Sequence, residues 1–211
     1  MQKNIEQIEK QFGQFTGDTF KKLDFPFVAG KNILDLGCGP GLDSLIFKNT
    51  FELDTYALDL YEHENIKDLK VKFMLGSIYQ LPYENGFFDY VFMHDILHHI
   101  DEMGQRYSKH TEALRELKRV VKREGFVIIV EGNRYNPLFY PHMVKMLGHQ
   151  HFSQKYFRKI VKEVFPSAKF QVFESHLYPK KWLWFWKFYE TTMERYCPKP
   201  FLAYNVAIIR V

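Results

Sequence analysis

Short apolar runs alternate with amphipathic segments over the first two thirds of the chain. The apolar runs predict buried strands at 32–36, 55–60, 71–75, 90–93 and 126–131. Amphipathic segments predict helices at 42–48 and 107–121, the second with Leu114, Leu117 and Val121 on one stripe. Strands that alternate with helices at this spacing predict an α/β fold with a doubly wound, mostly parallel sheet.

The last third of the chain is less regular. We expect a loop at 136–140 between two prolines, a helix at 153–164, a strand at 169–175, an aromatic helix at 182–196 and a closing strand at 201–211. The sheet would then have about seven strands, with a late antiparallel strand. At 211 residues the chain fits one domain. We divide it into an N-terminal helical cap (1–30), a cofactor-binding core (31–131) and substrate-side and closing elements (132–211).

A glycine-rich turn joins the first strand to the first helix of this core. It contains Gly37, Gly39 and Gly41 and follows directly on Asp35. Ligands of α/β sheets bind beyond the carboxyl ends of the strands, so this turn predicts a nucleoside-type cofactor site. A dinucleotide fingerprint would place a third glycine where Leu42 stands, and Pro40 lacks an N–H that a phosphate could use. A dinucleotide is therefore disfavoured.

The stretch Asp-Leu-Gly-Cys-Gly-Pro-Gly at 35–41 resembles the first motif of class I S-adenosylmethionine-dependent methyltransferases, and the resemblance extends over about 32–131. It implies a Rossmann-like fold, S-adenosyl-L-methionine as methyl donor and S-adenosyl-L-homocysteine as product. An acid at Asp59 would accept bonds from both ribose hydroxyls. Ser77 stands where the family usually has Asp, and Ile78 would contact the adenine. The cofactor-binding residues that the resemblance implies are Asp35, Gly37, Cys38, Gly39, Gly41, Asp59, Leu60, Ser77, Ile78 and His94.

Leu97-His98-His99 resembles an element of the small-molecule ("type 11"-like) subgroup of this family. Either His98 or His99 could act as a general base, because the pKa of histidine lies near working pH. Glu131, at the end of the fifth strand, would orient that histidine. The implied reaction is methyl transfer to a small-molecule or lipid-like acceptor, with oxygen or carbon favoured as the acceptor atom.

No metal is expected from the sequence. Methyl transfer from a sulfonium needs positioning and proton removal rather than a metal. His149 and His151 form the most suggestive pair, but no carboxylate or cysteine stands beside them at ligand spacing.

Charge and cysteine usage narrow the choice of partners and compartment. The net charge is +4 with acids and bases interleaved, and no basic stripe indicates nucleic acid. Asn136-Pro137-Leu138-Phe139 resembles a motif of nucleic-acid methyltransferases but follows the wrong strand. Cys38 and Cys197 are expected as reduced thiols. Without a signal peptide or a transmembrane run, the protein is predicted to be cytoplasmic.

Several alternatives remain open at this point. The aromatic cluster at 182–189 could be core, which is favoured, or line an apolar acceptor pocket, or form a dimer or peripheral membrane face. The chain could bind the cofactor without catalysis, as a sensor or a partner subunit, or it could be a nicotinamide-dependent oxidoreductase. The acceptor and the oligomeric state are not specified by the sequence.

Overall fold

A seven-stranded sheet organises the computed structural model, which describes residues 15–176 and 182–211. The strands are β1 (Asn32–Leu36), β2 (Asp54–Asp59), β3 (Lys72–Leu75), β4 (Phe88–His94), β5 (Val121–Gly132), β6 (Lys169–Phe173) and β7 (Tyr204–Arg210). They lie in the order β3-β2-β1-β4-β5-β7-β6. Neighbours pair in parallel from β3 through β5, whereas β7 is antiparallel to both β5 and β6. The expected fold class, with its late antiparallel strand, is confirmed.

Five α-helices of the described residues connect or flank these strands. They are α1 (Phe15–Lys22), α2 (Leu42–Asn49), α3 (Tyr107–Val120), α4 (Gln154–Val164) and α5 (Leu183–Tyr196). Short 3-10 turns lie at Glu64–Leu69, Leu97–His99 and Lys199–Phe201. Helix α4 begins one residue after its predicted start because the Ser153 hydroxyl caps it, accepting a hydrogen bond from the Tyr156 N–H. Of the predicted cap at 1–30, only residues 15–30 lie within the described part.

The core forms one hydrophobic layer on each face of the sheet. Along β5, Val127 and Ile129 contact one layer, whereas Ile128 and Val130 contact the other. This alternation follows from the period of two in an extended strand. The first layer also holds the apolar stripe of α3 and that of α4, and the second holds residues of α1 and α2. Both faces of the central strands are therefore covered, as a parallel sheet requires.

A π-helix at Tyr140–Met146 follows the predicted loop and was not foreseen. The expectation treated Pro141 as the end of a loop bracketed by prolines. In the structure Pro141 stands in the first turn of the helix, where the missing N–H of proline leaves no bond unmade. After this helix the chain returns to the carboxyl end of β5, where Phe152 pairs with Asn133.

Helix α5 exposes much of its aromatic cluster. Trp184 is 75% exposed and Phe188 is 67% exposed, and Trp182 and Phe185 are also exposed. The favoured interpretation of this cluster as core was therefore wrong for these four side chains. Among the described residues, none of the helices combines the length and apolar character that crossing a bilayer requires.

We expect Phe92→Ala to lower the free energy of unfolding by about 3–5 kcal/mol, because it would empty a fully buried site on the central strand. The Phe92 ring lies 5.3 Å from that of Phe20 and 5.0 Å from that of Phe47, measured between centroids. Urea denaturation followed by circular dichroism measures the change. Met103→Ala, at a fully exposed position, is the control and should stay within about 0.5 kcal/mol of wild type. Equal midpoints for both variants would contradict this packing.

Candidate functional site

The glycine-rich turn lies where the carboxyl ends of β1, β2 and β4 meet. The N–H groups of Gly37 and Cys38 both donate to the Leu58 carbonyl, at 2.7 and 3.3 Å. Gly37 has a φ of +75°, and a Cβ there would lie 2.4 Å from Cγ1 of Ile96. Only glycine therefore allows both this backbone conformation and the close approach of Ile96.

Two cavities open at this edge of the sheet and share Gly37 and Ile96 as lining residues. The larger has a volume of about 520 Å³ and the smaller about 270 Å³. The predicted site residues that line one or other cavity are Gly37, Cys38, Gly39, Asp59, Leu60, Ser77, Ile78, His94 and His99. The predicted residues Asp35, Gly41, His98 and Glu131 line neither of these two cavities.

Asp59 fastens the glycine-rich turn at the mouth of the larger cavity. Its Oδ2 accepts from the Gly39 N–H at 2.9 Å, and its Oδ1 accepts from the Tyr61 N–H at 3.3 Å. A carboxylate has about four lone-pair sites, so further donors can still bind. Nearby, the Ser77 hydroxyl accepts from the Tyr79 N–H at 3.3 Å. This cavity thus offers an anionic acceptor and a neutral hydroxyl.

A buried charge cluster lies beside the smaller cavity. Asp35 accepts a 2.5 Å hydrogen bond from the Ser44 hydroxyl, and burial, reinforced by the nearby Asp43, raises the pKa of Asp35 to about 8. Nδ1 of His94 lies 3.0 Å from Oδ2 of Asp43. Burial alone would lower the pKa of His94, but the Asp43 carboxylate outweighs it and the pKa rises to about 9. At neutral pH this cavity is therefore bordered by an imidazolium–carboxylate pair.

His98 and Glu131 form a second buried pair. Nδ1 of His98 lies 2.8 Å from Oε2 of Glu131, and Oε1 of Glu131 accepts from the Leu97 N–H at 2.5 Å. Burial lowers the pKa of His98 to about 4 and raises that of Glu131 to about 7. When Glu131 is ionised, its carboxylate only accepts, so Nδ1 of His98 then carries the imidazole hydrogen and Nε2 keeps its lone pair.

His99 points in a different direction from His98. Its Nδ1 lies 3.0 Å from Oε2 of Glu102, and its side chain is 41% exposed. The expectation that the two neighbouring histidines differ in role therefore has a structural basis. His98 is buried and contacts the buried Glu131, whereas His99 lines the larger cavity.

Two further histidines, which were not assigned a role from the sequence, lie against this pair. The ring of His151 stacks on that of His98, with centroids 4.3 Å apart, and the ring of His149 lies 6.3 Å from it. Asp95 joins them, since its carboxylate lies near His98 and His151. The sequence placed His149 and His151 in an unassigned segment, and only the folding back of 133–152 onto the sheet edge brings them here. The spacing along the chain gave no signal of it.

Comparison with known protein families gives a match over the central part of the chain. Residues 34–129 match the family model of a methyltransferase domain. An uncharacterised methyltransferase of Schizosaccharomyces pombe is 34% identical over 125 residues, which are 52% of this chain and 42% of that protein. The chain spans less than half the length of the curated relatives that it matches.

Solved structures share the fold at low identity. A chain from the complex of the Haloferax volcanii Trm112 methyltransferase activator with a methyltransferase has a TM-score of 0.66 at 14% identity, covering 98% of this chain and 93% of that one. The phosphoethanolamine N-methyltransferase 2 of Haemonchus contortus, bound to phosphomonomethylethanolamine and S-adenosylhomocysteine, has a TM-score of 0.65 at 16% identity, covering 100% and 57%. At these identities the likeness is evidence of fold.

We expect the free energy of unfolding to fall as the pH rises from about 6.5 to about 9. The folded protein keeps the His94 proton up to about pH 9, whereas the unfolded chain releases it near 6.5. Asp35 acts in the same direction up to about pH 8, since it releases its proton near 3.8 when unfolded. A folded state that binds more protons than the unfolded state loses stability as the pH rises.

His94→Gln tests this pH dependence through urea midpoints measured from pH 6 to 9.5. The variant should show a shallower decline than wild type, and Asp43→Asn should do the same because it removes the main anion that holds the proton on His94. Asp95, Asp35 and Tyr204 also face this ring and remain unchanged in both variants. A slope equal to wild type in both would contradict a charged His94.

Proposed function

We propose that the protein transfers a methyl group from S-adenosylmethionine to a small-molecule or lipid-like acceptor, because residues 34–129 match the family model of a methyltransferase domain. One observation carries the proposal. A two-part crevice lies at the glycine-rich turn, and the buried His98–Glu131 pair lies beside it, with Nε2 of His98 making no hydrogen bond among the described residues.

The residues that border the crevice fit the two ends of S-adenosylmethionine. In the larger cavity, Asp59 would accept bonds from the ribose hydroxyls, while Ser77 and Ile78 would contact the adenine. In the smaller cavity, the charged His94–Asp43 pair suits the zwitterionic methionine end. Between them, the missing Cβ of Gly37 lets the Ile96 side chain pack against the glycine-rich turn. Asp35 would act from beneath the turn, through Ser44 and Asp43, rather than by direct contact.

When bound, the cofactor supplies a methyl group activated by its sulfonium sulfur. Loss of the methyl group turns the sulfonium into a neutral thioether. The chain's own task is to hold the acceptor in line and to take its proton. Nε2 of His98 would accept the proton from an acceptor hydroxyl or carbon acid as the new bond to the methyl carbon forms. The imidazolium so formed would lie 2.8 Å from the Glu131 carboxyl group, which would stabilise its charge.

We assign the base to His98 rather than to His99. His98 is 1% exposed and its Nδ1 is bound by a fully buried carboxylate, so its orientation is fixed. His99 is bound by the half-exposed Glu102, and contact with solvent leaves its orientation less constrained. Its place in the lining of the larger cavity suits contact with the cofactor or the acceptor.

Exposed aromatic side chains on α5 support an apolar acceptor. Trp184, Phe185 and Phe188 point outward on a helix whose Tyr189 lies 6.2 Å from His176, and the ring of His176 lies 4.8 Å from Phe139. Phe139 in turn stacks on His151 at 5.7 Å. Rings thus continue from this surface to the histidines beside the crevice.

Asp59→Asn should weaken S-adenosylmethionine binding by about 10- to 100-fold, because hydrogen bonds to a charged acceptor contribute about 1.5–3 kcal/mol. Isothermal titration calorimetry measures the dissociation constant. Asp54→Asn, at the far end of the same strand and paired with Lys72 at the surface, is the control. Binding of NADH instead of S-adenosylmethionine by the wild type would favour the oxidoreductase alternative.

His98→Gln should reduce methyl transfer by about 100- to 10,000-fold with cofactor affinity unchanged, as expected for loss of a general base. The assay follows radiolabelled methyl groups from S-adenosylmethionine into a metabolite and lipid extract. His99→Gln should lose less than about tenfold. If both variants turn over like wild type, the base assignment is wrong. If wild type binds the cofactor and labels no compound, the protein is a non-catalytic binder.

A further inference from the structure

Four histidines converge beside the crevice from two segments far apart in sequence. His98 and His99 come from the turn after β4, and His149 and His151 follow the π-helix. One ligand atom each from His98, His99 and His149 lie within 4.8 Å of one another. A second set, made of Asp95, His98 and His151, meets the same limit. The sequence argument against a metal considered only neighbours along the chain, and the fold supplies ligands that are distant in sequence.

The carboxylates beside His98 and His99 contact the Nδ1 atoms and leave the two Nε2 atoms to act as ligands. Glu131 lies on Nδ1 of His98 at 2.8 Å, and Glu102 lies on Nδ1 of His99 at 3.0 Å. Each carboxylate holds the hydrogen on Nδ1, so each Nε2 carries a lone pair. Metal-ligating histidines typically donate their other N–H to a carboxylate in this manner. Two adjacent histidines here show that arrangement.

Buried nitrogens in this cluster lack a protein partner. His98 is 1% exposed, and its Nε2 has no hydrogen-bond partner among the described residues. Nδ1 of His149 is also buried and has no hydrogen-bond partner among the described residues. A buried nitrogen that makes no bond loses the hydrogen bond that water would supply, which is unfavourable by about 1–3 kcal/mol. A ligand that accepts these lone pairs would remove that penalty.

Ring orientation favours the three-histidine set over the set with Asp95. The ring of His149 is inclined by 70° to that of His98 and by 77° to that of His99. His151 instead stacks on His98 at 27°, a face-to-face arrangement in which the two ring planes are nearly parallel. Both oxygens of Asp95 already accept hydrogen bonds, from the Gly132 N–H at 2.7 Å and from the Tyr204 hydroxyl at 3.1 Å.

We propose that His98, His99 and His149 bind a divalent transition-metal ion of the zinc type. Imidazole nitrogens suit zinc, copper, iron and nickel, and zinc–nitrogen bonds are about 2.0–2.1 Å long. Ligand atoms around a tetrahedral ion lie about 3.4 Å apart, and the three histidine ligand atoms already lie within 4.8 Å of one another. With three protein ligands, one position stays open on the side of the larger cavity, which His99 lines.

Metal binding and proton acceptance use the same lone pair of His98. The metal-loaded protein therefore cannot use His98 as the base, and the metal should inhibit the proposed methyl transfer. The binding site itself does not depend on that transfer. Binding and activity thus test two separate statements.

The binding test titrates Co²⁺ and then Zn²⁺ into chelator-treated protein without a histidine tag. Wild type should bind one ion per chain, give the visible absorption of low-coordinate cobalt, and lose it on addition of Zn²⁺. His149→Ala should bind at least about 100-fold more weakly, and Glu102→Gln about tenfold more weakly. His151→Phe, which keeps an aromatic ring for stacking, is the matched control and should bind like wild type.

Wild type without stoichiometric binding would overturn the proposal, as would a His149→Ala variant that is folded by circular dichroism and binds normally. Loss of binding in His151→Phe with retention in His149→Ala would assign the metal to the Asp95 set and also overturn it. One equivalent of Zn²⁺ should slow methyl transfer in wild type and not in His149→Ala. If Zn²⁺ binds and transfer accelerates, the metal site stands and His98 is not the base.

Discussion

The buried carboxylate of Glu131 fixes the geometry of the site. Glu131 is the next-to-last residue of β5 and is fully buried; it accepts a hydrogen bond from the Leu97 N–H and pairs with Nδ1 of His98. A buried charge is unfavourable by several kcal/mol unless it is paired and hydrogen-bonded, so the turn after β4 must remain where it can supply both donors. The position of His98, and with it every candidate role of the histidine cluster, follows from this constraint.

Asp95 holds the other end of the same turn. It has a φ of +55°, and its carboxylate accepts from the Gly132 N–H and the Tyr204 hydroxyl. The turn after β4 is therefore hydrogen-bonded to β5 at both of its ends, and its Asp95 end is also hydrogen-bonded to β7. Ile96 lies between these two anchors and against Gly37, where it separates the two cavities. A side chain that no motif singled out thus shapes the crevice.

The glycine-rich turn and Asp59 could be predicted from the sequence because their geometry is local. A strand, a turn of glycines and a helix follow one another directly, and parallel pairing brings the end of β2 beside the end of β1. The roles of His149 and His151 could not be predicted in this way. Their position depends on the bridge between Asn133 and Phe152 and on Gly132, whose missing Cβ lets the His151 ring lie against the backbone. Such contacts leave no periodic pattern along the chain.

Helix α5 shows why an aromatic cluster did not become core. Its buried side is charged: Glu190 is 3% exposed and pairs with Lys22 of α1 and with Lys187. Lys187 also binds Asp18 at 2.7 Å. Because these ion pairs hold the charged side of the helix against α1, Trp184 and Phe188 are left facing outward. Hydrophobic pattern alone assigns the aromatic side to the interior, whereas here buried electrostatics orient the helix and leave an apolar surface near the site.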